Sequence, residues 1–227
     1  MAKLRAELNE FGRQEAQKML NVHHHQQMQN ELNAQLGRAG IPTRFLQKNF
    51  ENYQTSNVAQ KKNVKILKSY LQRFDYILEN GTCCMMVGKH GTGKTHCAVA
   101  LLNEVVSKGY TVVFTSVAEI LRRLRSTYSS KKESELDVYN LYTSPDLIVI
   151  DEVGVAIGDA EKRKAMLFDL INARYNELKP TVLIGNLSNS EMETYLGTRI
   201  YDRLLENNGF TLLFEWDSYR SGAKQRV

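Results

Sequence analysis

Residues 88–95 read Gly-Lys-His-Gly-Thr-Gly-Lys-Thr, the pattern G-x-x-x-x-G-K-T, between an apolar run and a helix-like stretch. The apolar run, 82–87, predicts a buried strand. Residues 96–107, followed by Lys108-Gly109, predict a helix with glycine just past its end. A strand, a glycine-rich turn and a helix in this order point backbone N–H groups and the helix N-terminus at one place, which suits a phosphate chain. The chain must therefore contain an α/β unit built around a phosphate-binding loop.

The residue types of this loop predict which phosphates it holds. The glycines let the backbone curl so that its N–H groups face the anion, Lys94 supplies charge to the β and γ oxygens, and the Thr95 hydroxyl can ligate Mg²⁺. ATP and Mg²⁺ are the expected cofactors. The loop residues expected to contact ATP are Gly88, Lys89, His90, Gly91, Thr92, Gly93, Lys94, Thr95 and His96.

The rest of the chain alternates between strand-like and helix-like patterns, which predicts a parallel sheet covered by helices on both faces, a three-layer α/β/α fold. Short apolar runs predict the strands, and longer amphipathic stretches predict the helices. The further predicted strands are 111–115, 147–150, 181–184 and 211–214, and the predicted helices are 58–78, 118–128, 161–178 and 190–205.

Polar residues follow two of these strands. Asp151-Glu152 ends the run Leu147–Ile150, and Asn186 follows the strand 181–184. Ligands collect at the carboxyl ends of parallel strands, so Asp151 is expected to join Thr95 at Mg²⁺ and Glu152 to polarise the attacking water. The Asn186 amide would face the γ-phosphate if its strand lies between the other two, although Asn-x-Ser-Asn also suits a simple turn.

Two basic stretches are candidates for contacts outside the nucleotide. Arg199 and Arg203 lie four apart on one predicted helix, where they could serve a neighbouring subunit or form a surface helix with an ion pair to Asp202. Tyr128 lies among cationic residues, and an aromatic ring with nearby cations is the combination that single-stranded nucleic acid favours. A solvent-exposed basic helix would show the same sequence pattern. The predicted DNA contacts are Tyr128, Arg122 and Arg125, with Arg123, Lys131 and Lys132 nearby.

The remaining composition restricts the function further. A net charge of +5 over 227 residues permits nucleic-acid contact without requiring it. No apolar stretch approaches the ~20 residues of a membrane helix, so we expect a cytoplasmic protein without membrane contact. Residues 1–36 predict a helical segment with too few apolar side chains for a core, which would need a partner. Residues 37–57 read as a linker and 58–227 as the ATPase domain.

Taken together, the motifs resemble the DnaC-type replicative helicase loaders, AAA+ ATPases of the DnaA/DnaC branch. The resemblance covers about residues 38–221, and the last of its motifs contains the single Trp of the chain. It rests on 49–53, 88–95, 149–154, Asn186 with 188–192, 196–199, Asp202-Arg203 and the string Trp216-Asp217-Ser218-Tyr219-Arg220-Ser221.

The resemblance implies roles for residues whose spacing alone does not assign them. Asn186 is similar to the sensor-1 residue, Arg203 to an arginine finger, Arg220 to a sensor-2 arginine and Tyr128 to an aromatic DNA contact. It places adenine near Phe50 and Tyr53, and it makes Lys94, Glu152, Asn186 and Arg203 the catalytic set. The predicted N-terminal helix would bind the hexameric replicative helicase.

The family's activity is then the expected one: ATP-dependent delivery of a replicative helicase onto single-stranded DNA, with slow hydrolysis as a release switch and self-assembly through Arg203. About forty residues follow Asn186, so we expect no separate helical lid. Two alternatives remain. One is a transposition-helper ATPase of the IstB type, and the other is an adaptor that binds ATP without significant hydrolysis.

Overall fold

The fold is built on one parallel sheet of five strands in the order β2-β3-β4-β1-β5. The computed structural model describes residues 39–128, 133–156 and 158–219. Strand β4 lies between β1 and β3, the position that brings Asn186 to the edge shared by the phosphate loop and Asp151. The strands are β1 Cys84–Gly88, β2 Val112–Ser116, β3 Leu147–Val153, β4 Thr181–Gly185 and β5 Phe210–Phe214.

Helices connect the strands, and many begin at a side-chain cap. Asn57, Ser134 and Ser188 each accept a bond from a backbone N–H three residues on, and the residue there bonds back, which forms a capping box. A short 3₁₀ helix spans Thr43–Phe45. The helices are α1 Val58–Gln72, α2 Phe74–Asn80, α3 Lys94–Ser107, α4 Val117–Thr127, α5 Glu135–Thr143, α6 Ala160–Asn176, α7 Asn189–Leu196 and α8 Thr198–Leu205.

Two predicted helices differ from the structure, and one helix was not predicted. The helix predicted over 58–78 is two helices, because Arg73 leaves the helical region at φ −110° and ψ 30°. The helix predicted over 190–205 is also two, since Gly197 turns the chain at φ 84° and ψ 145°. Helix α5 was not predicted, although Ser134 with Asp137 three residues later is a capping signal.

Alternate strand residues supply the two cores on opposite faces of the sheet. Cys84 and Met86 face the core under α1 and α3, whereas Met85 and Val87 face the core under α4 to α8. This is the period of two expected of a strand buried on both sides. The three-layer α/β/α prediction is confirmed, and residues 186–219 hold two short helices and β5 without a separate helical lid.

The segment before α1 packs onto the domain. The Ala39 carbonyl accepts a bond from Phe114 N at 2.7 Å, and Ile41, Phe50 and Tyr53 are buried in the core on the α3 side. The predicted N-terminal helix over 1–36, Lys131, Lys132 and Arg220 lie outside the described residues. No helix within the described ranges has the length and apolar character to cross a membrane.

Candidate nucleotide site

A cavity of about 1190 Å³ lies at the carboxyl ends of the central strands. It brings together residues that are far apart in sequence, which is how ligand sites form in parallel α/β sheets. Of the residues predicted to act on nucleotide, the following line this cavity: Tyr53, His90 to His96, Asp151, Glu152 and Asn186. Three other predicted residues, Gly88, Lys89 and Phe50, are not part of the cavity lining. Gly88 and Lys89 begin the loop, and Phe50 is buried in the core.

Lys94 lies inside the phosphate loop, with 5% of its surface exposed. Its Nζ donates to the carbonyls of Gly88 at 2.7 Å and Lys89 at 2.6 Å. Burial lowers the Lys94 pKa to about 8, although the nearby Asp151 carboxylate acts in the opposite direction. A phosphate oxygen at this position would meet an ammonium group that is already desolvated and directed inward.

The Thr95 hydroxyl donates to Asp151 Oδ2 at 2.8 Å and so joins the start of α3 to the end of β3. Burial raises the Asp151 pKa, opposed first by this hydrogen bond. A hydroxyl and a carboxylate at the mouth of a phosphate loop are the oxygen donors that Mg²⁺ accepts, so the pair fits the predicted metal site. When bound there, Mg²⁺ would neutralise charge on the phosphate oxygens.

Glu152 follows Asp151 at an irregular point in β3. The pairing of β3 with β4 shifts between Ile150 and Val153, a bulge that turns the strand. Glu152 has a φ of 59°, its side chain is exposed, and its N–H donates to Asp151 Oδ1 at 2.7 Å. A non-glycine residue in the left-handed region is uncommon and is found at functional sites more often than elsewhere. The bulge places the two neighbouring carboxylates in different environments. Asp151 is partly buried and accepts a hydrogen bond from Thr95, whereas Glu152 is exposed and lines the cavity.

Tyr53 and His96 form the wall on the side expected for adenine. Their rings pack edge to face with centroids 5.1 Å apart, and the His96 Nε2 lies 2.9 Å from the Asn49 carbonyl. Burial lowers the His96 pKa, which keeps the ring neutral at ordinary pH. This ties α3 to the segment 49–53, one of the strings on which the family resemblance rests.

The C-terminal string also reaches this site, which sequence reasoning did not explain. Trp216 Nε1 donates to the Thr92 carbonyl at 2.9 Å, and Tyr219 N donates to the Gly91 carbonyl at 3.0 Å. The only signal in the sequence was the unusual composition of the string itself. Arg123, Glu119 and Tyr142 also line the cavity, and nothing in their spacing predicted it.

Arg203 lies on α8 against one face of α6. Its guanidinium donates to Asn172 Oδ1. The Arg203 Cζ atom also lies over two aromatic rings, 5.5 Å from the Phe168 centroid and 5.2 Å from the Tyr175 centroid. Arg199 stacks over Phe168 from one turn earlier, at 5.8 Å. Arg203 is half-buried and lies outside the cavity lining of its own chain.

Tyr128 follows the last residue of α4 as its C-cap, with 79% of its surface exposed. It lies with Arg125 on a second cavity of about 660 Å³ whose other walls come from α5 and α6. Arg122 is exposed and forms an ion pair with Glu119. Arg123 was expected to lie near Tyr128 with the other cations. Instead, two of its nitrogens donate to Glu133, and its side chain lines the nucleotide cavity.

Comparison with known proteins gives consistent results in sequence and fold. The profile of the family described as "IstB-like ATP binding protein" matches residues 4–226. The "Replicative helicase loader DnaC" of Buchnera aphidicola subsp. Acyrthosiphon pisum (strain APS) is 32% identical over 190 residues, 83% of this chain and 76% of the relative. The protein of the same name from Escherichia coli (strain K12) is 33% identical over 184 residues, 81% and 74% of the two chains. The crystal structure of the DnaC helicase loader matches with a TM-score of 0.68 at 23% identity, over 77% of this chain and 100% of that one, which shows a shared fold.

Proposed function

The chain belongs to the IstB-like ATP-binding protein family, and on that premise we propose that it is an ATPase that delivers a replicative DNA helicase onto single-stranded DNA. The observation that carries this proposal is its identity of 32–33% to replicative helicase loaders over about four fifths of its length. The sequence resemblance to DnaC-type loaders is thereby confirmed. The work of the loader would take place in the cytoplasm.

ATP would lie along the cavity with its phosphates in the loop 88–95 and its base beside Tyr53 and His96. Lys94 would contact the β and γ oxygens, and Thr95 with Asp151 would hold Mg²⁺. Glu152 would take the proton of the attacking water, and the Asn186 amide would orient that water beside the γ-phosphate. The open position of Glu152 and the bonded position of Asp151 support this division of roles.

Arg203 would complete the site of a neighbouring subunit. Two observations support this role: Arg203 lies outside the cavity of its own chain, and its guanidinium packs over the rings of Phe168 and Tyr175. An arginine finger needs a fixed approach to the γ-phosphate, and stacking reduces the side-chain freedom lost when the finger docks. Hydrolysis that depends on assembly would be slow in the free subunit and would time release of the helicase. Arg220 would act on nucleotide from the C-terminal side.

The exposed ring of Tyr128 with Arg122 and Arg125 would contact single-stranded DNA. An exposed aromatic side chain beside arginines supports stacking on bases with charge on the backbone. Residues 1–36 would bind the helicase, residues 37–57 would join this segment to the ATPase domain, and 58–227 would form that domain.

A second function is favoured by one observation, the description of the matching family as IstB-like. A transposition helper would use the same ATPase site with a transposase as partner and duplex DNA as substrate. The two functions differ in partner and in DNA, so one experiment separates them. The adaptor alternative predicts ATP binding without hydrolysis in every assembly.

The test is a pull-down with the full chain as bait. We expect a replicative helicase from the same cell to be retained, and its release to follow ATP hydrolysis on single-stranded DNA. Lys94→Ala is the matched control, since it should retain helicase without ATP-dependent release. Retention of a transposase, with no helicase retained at any nucleotide state, would overturn the loader assignment in favour of the helper.

A further inference from the structure

The phosphate loop is held from its outer side by three aromatic residues that come from opposite ends of the described chain. We call Tyr53, Trp216 and Tyr219 the aromatic brace. Tyr53 precedes α1, whereas Trp216 and Tyr219 follow β5. The catalytic scheme above uses none of their hydrogen bonds.

The brace supplies hydrogen-bond donors to two loop carbonyls. The Thr92 carbonyl accepts from the Tyr53 hydroxyl at 3.0 Å and from Trp216 Nε1 at 2.9 Å. The Gly91 carbonyl accepts from the backbone N–H of Tyr219 at 3.0 Å. A loop that turns its N–H groups inward to a phosphate turns carbonyls outward, and buried carbonyls need donors. Each brace residue therefore stabilises the loop shape that exposes N–H groups to the ligand.

Ring packing fixes the three residues relative to one another and to the sheet. Tyr53 and Tyr219 pack edge to face with centroids 6.1 Å apart, and Trp216 packs on Phe214 of β5 at 4.9 Å. The Tyr219 hydroxyl donates to the Gln54 carbonyl, which closes the link between the two chain segments. The donors on Thr92 and Gly91 are thus held in place by contacts outside the loop.

The Tyr53 ring and Ser218, which precedes Tyr219, leave little space beside two loop glycines. A Cβ at Gly91 would lie 2.0 Å from Ser218 Oγ, and a Cβ at Gly93 would lie 2.5 Å from Cε2 of the Tyr53 ring. Both glycines also have positive φ, 70° and 94°. Contact with Ser218 at Gly91 and with the Tyr53 ring at Gly93, besides the turn itself, therefore excludes a side chain at these positions.

We propose that Tyr53, Trp216 and Tyr219 are positioning residues that keep the phosphate loop in its nucleotide-binding shape. The inference rests on the proposed ATP binding and adds the residues that position the loop of that same site. Because the brace acts on loop shape, it should change ATP affinity, with little effect on the rate of hydrolysis at saturation.

The first measurement uses Trp216, the single tryptophan of the chain, as its own reporter. Its emission should change as a non-hydrolysable ATP analogue with Mg²⁺ is titrated into the full chain. The midpoint of that change should agree with the dissociation constant that calorimetry gives. Calorimetry without binding would refute the ATP site itself. Calorimetric binding with no change in emission would count against the brace alone.

The second measurement compares hydrogen-bond deletions. Tyr53→Phe and Trp216→Phe each remove one donor to Thr92 while keeping an aromatic ring, and we expect each to weaken analogue binding by about two- to tenfold, as for a neutral hydrogen bond. Tyr110→Phe is the matched control, since its hydroxyl bonds Asp75 at the opposite end of the sheet. Parental affinity in both brace variants overturns the proposal, and so does an equal loss in Tyr110→Phe.

Discussion

Lys94 and Glu152 stand in environments that a surface lysine or glutamate does not have. Lys94 is 5% exposed and bonded to two loop carbonyls, and Glu152 has a left-handed backbone after a bulge. The motif G-x-x-x-x-G-K-T gives the residues expected to meet the phosphates. It could not predict the Lys94 pKa or the Glu152 backbone, because both depend on neighbours supplied by other strands.

The lowered Lys94 pKa predicts that ATP affinity falls in alkaline solution. With a pKa of about 8, the free ammonium loses its proton above that pH, whereas a bound phosphate would favour the charged form. Binding should take up a proton, and affinity at pH 9 should be about tenfold weaker than at pH 7. Calorimetry in two buffers of different ionisation enthalpy measures both quantities. Lys94→Arg, which stays charged, should show a flat profile, and an equal slope in that variant would assign the effect to another group.

Glu152→Gln separates binding from hydrolysis. The amide keeps the size of the side chain but cannot accept a proton, so the rate should fall by about 10²- to 10⁴-fold while ATP affinity is unchanged. Phosphate release measures the first quantity and calorimetry the second. Glu161→Gln, an exposed glutamate in the first turn of α6, is the control and should keep the parental rate. A hydrolysis rate in Glu152→Gln within twofold of the parent would mean that another group accepts the proton of the attacking water.

At the scale of elements, apolar runs predicted the five strands in chain order, and longer amphipathic stretches predicted the helical regions after residue 57 except α5. What failed was local: Arg73 and Gly197 divide helices whose hydrophobic pattern continues across the break, and the short α5 has little pattern of its own. Arg174 is a further example. An arginine is a residue type expected at the surface, yet Arg174 lies on the buried face of α6 with Leu167 and Ile171 and is completely buried.

Arg174 joins four elements by donating to carbonyls. Its guanidinium bonds the Tyr142 and Thr143 carbonyls at the end of α5, at 3.2 and 3.1 Å, which places a cation at a helix C-terminus. It also bonds carbonyls just before β3 and β4, those of Pro145 and Pro180, both at 2.8 Å. Burial lowers the Arg174 pKa to about 10, so the group stays charged at neutral pH.

Arg174→Met should therefore destabilise the domain by about 3 kcal/mol, since it leaves several buried carbonyls without their donor. Urea unfolding followed by circular dichroism measures this. Arg73→Met makes the same change at an exposed helix end and should alter the free energy of unfolding by less than about 0.5 kcal/mol. If both variants unfold at the same urea concentration, the buried guanidinium contributes no more than a surface one.

At the scale of the whole molecule, the α6–α8 face carries Arg203, the residue proposed to contact a second copy. Phe168, Asn172 and Tyr175 lie along one face of α6 and hold Arg203 through two stacked rings and an amide. The sequence predicted the arginine but not this support, because the residues of α6 and α8 meet only after the chain has folded.

If Arg203 acts on a neighbour's nucleotide, activity lost by mutation should return in mixed assemblies. Arg203→Ala keeps an intact phosphate loop, and Lys94→Ala keeps the arginine, so each alone should lose assembly-stimulated hydrolysis, by about 10³-fold where a finger operates. Mixing the two proteins creates interfaces with one intact loop and one intact arginine, and phosphate release should rise above either protein alone. Arg199→Ala removes the cation one turn earlier over the same Phe168 ring and is the control, expected to keep the stimulation. A mixture as inactive as its components, although each binds its partner subunit, would contradict the action of Arg203 on a neighbour's nucleotide. The stacked arrangement on α6 would then serve stability alone.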